Sequence, residues 1–195
     1  GKYYVSKKPL ALKPRLELFG GVVDVNVHTD DGDSFSTKTG FLGIKMEADL
    51  GWDFPVILDF PLEEAKFLVE PFAGLGNRRW RTCHGYLEDW NIVYGRLGIR
   101  IIASESNNSK NEFFAETALK LPVSNKVIMD LSEEGFGKVT FRPGKKTSSY
   151  IEAGIRLSKF KISLFYESLR FAKSPGVYLD DEWFYPEVKA DIYGL

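Results

Sequence analysis

The sequence predicts an all-β fold, a closed antiparallel up-and-down barrel of eight strands. Two observations carry this reading. Apolar and polar residues alternate with period two over long stretches, and polar segments punctuate those stretches. The clearest case is FLGIKMEADLGW at 41–52: Leu42, Ile44, Met46, Ala48, Leu50 and Trp52 point one way, and Phe41, Gly43, Lys45, Glu47, Asp49 and Gly51 point the other.

The alternation predicts strands at about 14–27, 38–52, 66–80, 88–103, 111–122, 148–158, 160–173 and 183–195. In the first, Leu16 and Leu18 alternate with Arg15 and Glu17, and the blurred register at Gly20–Gly21 suggests a bulge or tight bend. The third sets Val69, Pro71, Ala73 and Leu75 against Glu70, Phe72, Gly74, Gly76 and Arg78; its internal proline calls for a local irregularity. The fourth opposes Val93, Leu97, Ile99 and Ile101 to Tyr94, Arg96 and Arg100. The fifth opposes Phe113, Thr117, Leu119 and Leu121 to Glu112, Phe114, Glu116 and Lys120. Ile151, Ile155 and Leu157 alternate with Glu152 and Arg156, and Ile162, Leu164 and Tyr166 with Lys161, Phe165 and Glu167. The last strand places Pro186, Val188, Ala190 and Ile192 opposite Glu187, Lys189, Asp191 and Tyr193. The organisation read from this is an N-terminal tail at 1–13 and a single barrel domain at 14–195.

Either face of such a sheet can line the interior. In a soluble lipocalin-like carrier the apolar face would enclose a greasy ligand. In a transmembrane barrel the apolar face meets lipid and the charges lie in the lumen. Three features favour the membrane alternative. Glycines (Gly43, Gly51, Gly74, Gly76, Gly98 and Gly154) share the polar face with long charged side chains, which suits a narrow lumen. That face also nearly balances its charge. Ten acids (Glu17, Glu47, Asp49, Glu70, Glu112, Glu116, Glu152, Glu167, Glu187, Asp191) meet nine bases (Arg15, Lys45, Arg78, Arg96, Arg100, Lys120, Arg156, Lys161, Lys189). Finally, aromatics gather at strand ends: Trp52, Trp80, Trp90, Trp183 and Tyr185 form the expected girdle, with Tyr86, Tyr178 and Phe184 beside them. The strands are also longer than the usual five or six residues of soluble sheets.

Composition agrees with one domain and restricts the rest. A chain of 195 residues with net charge −1 carries no broad basic surface for nucleic acid. No apolar run is long enough for a membrane helix. One cysteine, Cys83, rules out an internal disulfide framework. The start GKYYVSKKPLALK has no apolar run of signal type, so the chain is expected to be cytosolic or to have lost a leader.

VEPFAGLG, NIVYGRLGIR, YIEAGIRLSKFKISLFYESLRF and KADIYGL resemble strands of the small Gram-negative outer-membrane barrels, the OmpA/OmpX-like group. The resemblance covers most of the chain from about residue 14. It implies a monomeric protein of the bacterial outer membrane, in contact with lipid and lipopolysaccharide, with long external loops that can bind a partner. Barrels of this group usually end on an aromatic residue, whereas this sequence stops at Leu195.

Little in the sequence points to chemistry. His28 and His84 fall at the expected external end, and some barrels of this kind modify lipid A through a histidine-containing site. No compact serine–histidine arrangement accompanies them. DDGD at 30–33 lacks the downstream glutamate of a calcium loop, although loop acids there could bridge cations to lipopolysaccharide phosphates. GLGNRR and FRPGKK do not keep phosphate-loop spacing. The expectation is therefore a structural or loop-binding protein with no cofactor, metal or catalytic residue, its lumen closed by ion pairs. A lipid A-modifying enzyme or a narrow channel on the same fold stands second.

Overall fold

The computed structural model describes residues 3–4, 10–28, 34–56, 65–84, 86–105, 108–158, 160–179, 182–183 and 188–194. One antiparallel sheet of twelve strands dominates, its long members joined in up-and-down order. The eight long strands are β1 (Leu10–His28), β2 (Ser34–Trp52), β3 (Ala65–His84), β4 (Tyr86–Glu105), β5 (Asn108–Leu131), β6 (Ser148–Leu157), β7 (Phe160–Ala172) and β8 (Val188–Gly194). Each pairs antiparallel with the next in the chain. The end where β1 begins is called the lower end below.

Short strands complete the sheet. Tyr3–Tyr4 pairs with Ala11 and Leu12 of β1, Phe54–Val56 with β3, Gly137–Phe141 with the top of β5, and Gly144–Lys145 with β7. Val177–Tyr178 and Glu182–Trp183 make a separate ribbon. A 3-10 turn, Ser132–Glu134, leads from β5 into Gly137–Phe141 and is closed by Gly135, whose φ of 85° is a left-handed conformation that glycine adopts without strain.

The sheet is strongly curled. In a flat sheet β1 and β5 would lie four inter-strand spacings apart, about 19 Å. Yet Arg15 of β1 donates to Glu116 of β5 at 3.0 Å and approaches Glu152 of β6 at 3.8 Å. Their shared face is concave. That face carries the charges: Arg96 is 1% exposed and Glu70 0%. The convex face carries the aliphatics, with Leu18 at 77% and Leu42 at 72%.

The structure revises several local expectations. The β1–β2 ladder runs through Gly20↔Leu42 and Gly21↔Phe41 without a shift, so no bulge sits at those glycines. β1 begins at Leu10 rather than near residue 14. Pro71 stays in register with Ile99 of β4. Its irregularity is on the β2 side, where pairing breaks between Gly51↔Phe72 and Phe54↔Val69, so the missing N–H falls where the ladder is already interrupted. The strands extend past the expected ends at 80 and 88: β3 ends at His84 and β4 begins at Tyr86. β5 likewise outruns its expected end at 122, continuing to Leu131 before Gly137–Phe141 folds back on it. The hairpin at Ser158 is tight, and Ser158 takes a φ of 55°.

One irregularity controls which residues face inward. Between β4 and β5 the register shifts at Val93/Tyr94: Tyr94 pairs with Pro122 but Val93 with Ser124. The extra residue is Val123, next to a proline that cannot donate to the ladder. Below the bulge β5 turns Glu116, Ala118 and Lys120 inward; above it the buried residues are Asn125, Val127 and Leu131.

Candidate functional site

The lower interior is filled by ion pairs, and Arg96 of β4 is its hub. One guanidinium nitrogen donates to both oxygens of Asp49, at 2.9 and 2.7 Å, and lies 3.0 Å from Glu47. The other terminal nitrogen donates to Glu116 at 2.6 Å. Arg100, two inward positions lower and past Gly98, donates through Nε to the second oxygen of Glu116 at 2.7 Å and also pairs with Glu70. Lys13 reaches the same Glu70 from β1. The planar guanidinium fork allows one arginine to bridge several carboxylates at once, which an ammonium cannot do with fixed geometry.

Further pairs extend this network around the curl. Lys120 of β5 donates to Glu167 of β7 at 2.5 Å, and Lys45 of β2 lies 2.5 Å from Glu17 of β1. Lys161 and Ser163 of β7 both donate to Glu152, at 2.5 and 2.6 Å. Two tyrosine hydroxyls join the network: Tyr94 donates to Glu47 at 2.7 Å and Tyr150 to Glu152 at 3.0 Å. Charges this deeply buried persist only when paired and hydrogen-bonded.

The inward glycines make room for these side chains. A methyl group on Gly74 would strike the carboxylate of Asp49, and one on Gly76 would strike the ring of Tyr94. Each of these two glycines thus leaves space for a side chain of the neighbouring strand. Phe72 similarly lies over Gly98 and under the guanidinium planes of Arg96 (5.2 Å) and Arg100 (4.8 Å).

Above Arg78 the chemistry changes. The ladder row Phe19, Gly43, Trp80, Trp90, Val127 and Phe141 contains no charge. Trp90, Ile92, Tyr94, Val127, Leu131, Val139, Phe141, Leu169 and Phe171 pack there as one buried cluster. Trp80 stacks on Trp90 with ring centres 4.8 Å apart and planes 10° off parallel.

The structure therefore places the expected residues in three groups. Arg15, Glu17, Lys45, Glu47, Asp49, Glu70, Arg78, Arg96, Arg100, Glu116, Lys120, Glu152, Lys161 and Glu167 belong to the interior network. Glu112 and Arg156 pair with each other nearer the lower rim, where Arg156 is exposed. Lys189 and Asp191 lie on the opposite face from the one expected. The β7–β8 register sets Ile192 beside Glu167, Ala190 beside Leu169 and Val188 beside Phe171, so β8 turns its apolar residues inward. Asp191 instead accepts from Arg170 at 2.7 Å and Tyr166 at 2.9 Å on the outside. Glu187 lies outside the described residues.

Of the expected girdle, Trp52 is exposed at the lower end, where it packs with Phe54. Trp80 and Trp90 are corrected: they face inward, because the interior at their height is apolar. Trp183 is described only as backbone, and Tyr185 lies outside the described residues. Sequence reasoning missed Lys13, Asp53, Tyr94 and Tyr150 as network members; Asp53 enters through a hydrogen bond with Glu70. Lys13 has the same parity as Arg15 and Glu17 and is readable from it, and Tyr94 shares the face of Arg96 and Arg100; nothing in the alternation marks a tyrosine hydroxyl as a partner for a buried carboxylate.

Among the described residues, the network's carboxylates are engaged by cations and by the hydroxyls of Tyr94, Tyr150 and Ser163. Its chemical capacity is to fill and lock the interior. No cluster of histidine, cysteine, aspartate and glutamate suited to a metal occurs among the described residues. His28, Cys83 and His84 belong to strands, but only their backbones are described, and DDGD lies outside the described residues. No helix among the described residues is long and apolar enough to cross a membrane, which leaves strands as the elements that could. The chain matches no protein-family model, no curated protein and no solved structure.

Proposed function

We propose that β1–β8 close into an eight-stranded membrane-spanning barrel of the OmpA/OmpX-like kind, resident in the bacterial outer membrane. Its partners are lipid and lipopolysaccharide, and it works as a monomer in a structural role or through its external loops. Its lumen is closed by the ion-pair network, so it conducts poorly or not at all.

The observation that carries this reading is the inversion of the two faces. Leu16, Leu18, Leu42, Leu75, Phe113 and Leu164 are exposed while Arg96, Lys45 and Glu70 are buried. In water, a belt of that kind far exceeds the apolar patch a monomer tolerates. In lipid it is the expected surface. Closure follows from the same logic: β1 and β8 are the ends of the up-and-down series, and hydrocarbon does not tolerate an open sheet edge. A carrier of greasy ligands would need an apolar lining where the charged network stands.

Purification and gel migration test the reading. The chain should require detergent or lipid for folding, and the folded form should migrate differently from the boiled form. In planar bilayers it should give no stable conductance. A chain that folds and stays monomeric in detergent-free buffer would overturn the proposal.

A further inference from the structure

A cavity lies where the charged and apolar zones meet, and its walls decide what it can hold. Its polar lining includes Arg78, Lys120, Lys146, Ser148 and Glu167, with Phe171 on the apolar side, and the centre of a water-sized guest has about 20 Å3 in which to lie. That is room for a water or a monatomic ion.

Arg78 is the anomalous member. It is 5% exposed, and neither Nε nor Nη1 has a hydrogen-bond acceptor among the described residues. Nη1 lies 3.1 Å from Glu167 without forming a hydrogen bond. The group is held over the ring of Phe19 at 4.3 Å and near Trp80 at 5.5 Å, which restrains it from turning elsewhere. Buried charged donors without acceptors are costly. The other walls also donate. Lys120 points at the cavity's edge while already bonded to Glu167, and the Ser148 hydroxyl oxygen accepts from the Arg170 N–H at 3.2 Å, leaving its own proton to give. Three cations and one carboxylate line the space.

We propose that this cavity binds one small monovalent anion of the halide class, which accepts from Arg78 and sits against the Lys120 and Lys146 charges. An anion loses hydration on entering, and the unbonded Arg78 donors supply the charge-assisted hydrogen bonds that a buried charge requires. The proposal goes beyond the membrane reading and does not depend on it.

Bromide serves as the probe. The full chain, folded in detergent and crystallised in bromide, should show an anomalous peak within hydrogen-bond reach of Arg78 Nε. Bromide should also quench tryptophan fluorescence with a saturable component, because Trp80 adjoins the site. Arg78→Gln should weaken that component about tenfold or more. Lys146→Met is the second variant, away from the centre of the network, and should weaken it in the same direction. A water refined at the site in saturating bromide, or quenching that stays linear with bromide in the native chain, would overturn the proposal. A protein that folds without detergent yet binds bromide here would sink the membrane reading and leave this one standing.

Discussion

Below Arg78 the concave face of the sheet is packed with guanidinium, ammonium and carboxylate groups; above it the same face is packed with indole and phenyl rings. Both zones are built by the same strands with the same two-residue period. They differ in what fixes their geometry. In the lower zone each arginine has to meet several carboxylates at hydrogen-bond distance, so direction matters. In the upper zone dispersion and area burial dominate, so volume matters. This contrast makes different substitutions harmful in the two places.

The largest effect is expected at the hub. Arg96→Met leaves Glu47, Asp49 and Glu116 short of a shared cation, and breaking a buried pair in this way costs about 3–5 kcal/mol. Equilibrium unfolding in urea with lipid vesicles measures it. Arg96→Lys should recover only part of the loss, because an ammonium lacks the fork. A full recovery by lysine would show that charge alone, not direction, sustains the lower zone.

Phe141→Ala in the upper zone should cost about 3 kcal/mol by the same assay, through lost burial and the cavity left beside Trp90 and Val127. Here the conservative change behaves oppositely: Phe141→Leu should cost under about 1.5 kcal/mol, because a greasy group of similar size fills most of the space. Equal penalties for leucine and alanine would erase the distinction between the zones.

Gly76→Ala comes next, at about 1–3 kcal/mol, from overpacking against Tyr94. Tyr94 spans both zones: its ring belongs to the upper cluster and its hydroxyl donates to Glu47. Pairing Gly76→Ala with Tyr94→Phe asks which part of the strain is polar. If displacement of the hydroxyl is the main cost, the double change should be markedly sub-additive. Additivity would assign the cost to ring crowding.

The sequence was legible where the two zones share one rule and misleading where they do not. Alternation located all eight long strands, because period two is a property of strands whatever lies inside. In β2, β3, β4 and β6 it also gave the correct inward face in the lower half, where inward means charged. The rule of charges inside failed for β8, whose described length lies partly beside Leu169 and Phe171 of the apolar zone. There the inward residues are Val188, Ala190 and Ile192, and one position of parity separates them from Lys189 and Asp191. Trp80 and Trp90 were misplaced for the same reason: at a strand end an inward ring and a head-group ring have the same alternation. The bulge after Pro122 left no pattern at all, since a single extra residue simply reverses the parity of the rest of β5.

The smallest effect is expected where neither zone reaches, on the convex face near the upper end. Arg81 and Asp89 form a two-point pair there, at 2.6 and 2.9 Å, and both side chains are largely exposed. Exposed pairs of this kind are worth little, so Arg81→Ala should cost only about 0.2–0.5 kcal/mol in the same unfolding assay. An Arg81→Ala penalty approaching that of Arg96→Met would mean that the surface pair is as shielded as the interior ones, and the boundary between inside and outside would have to be redrawn there.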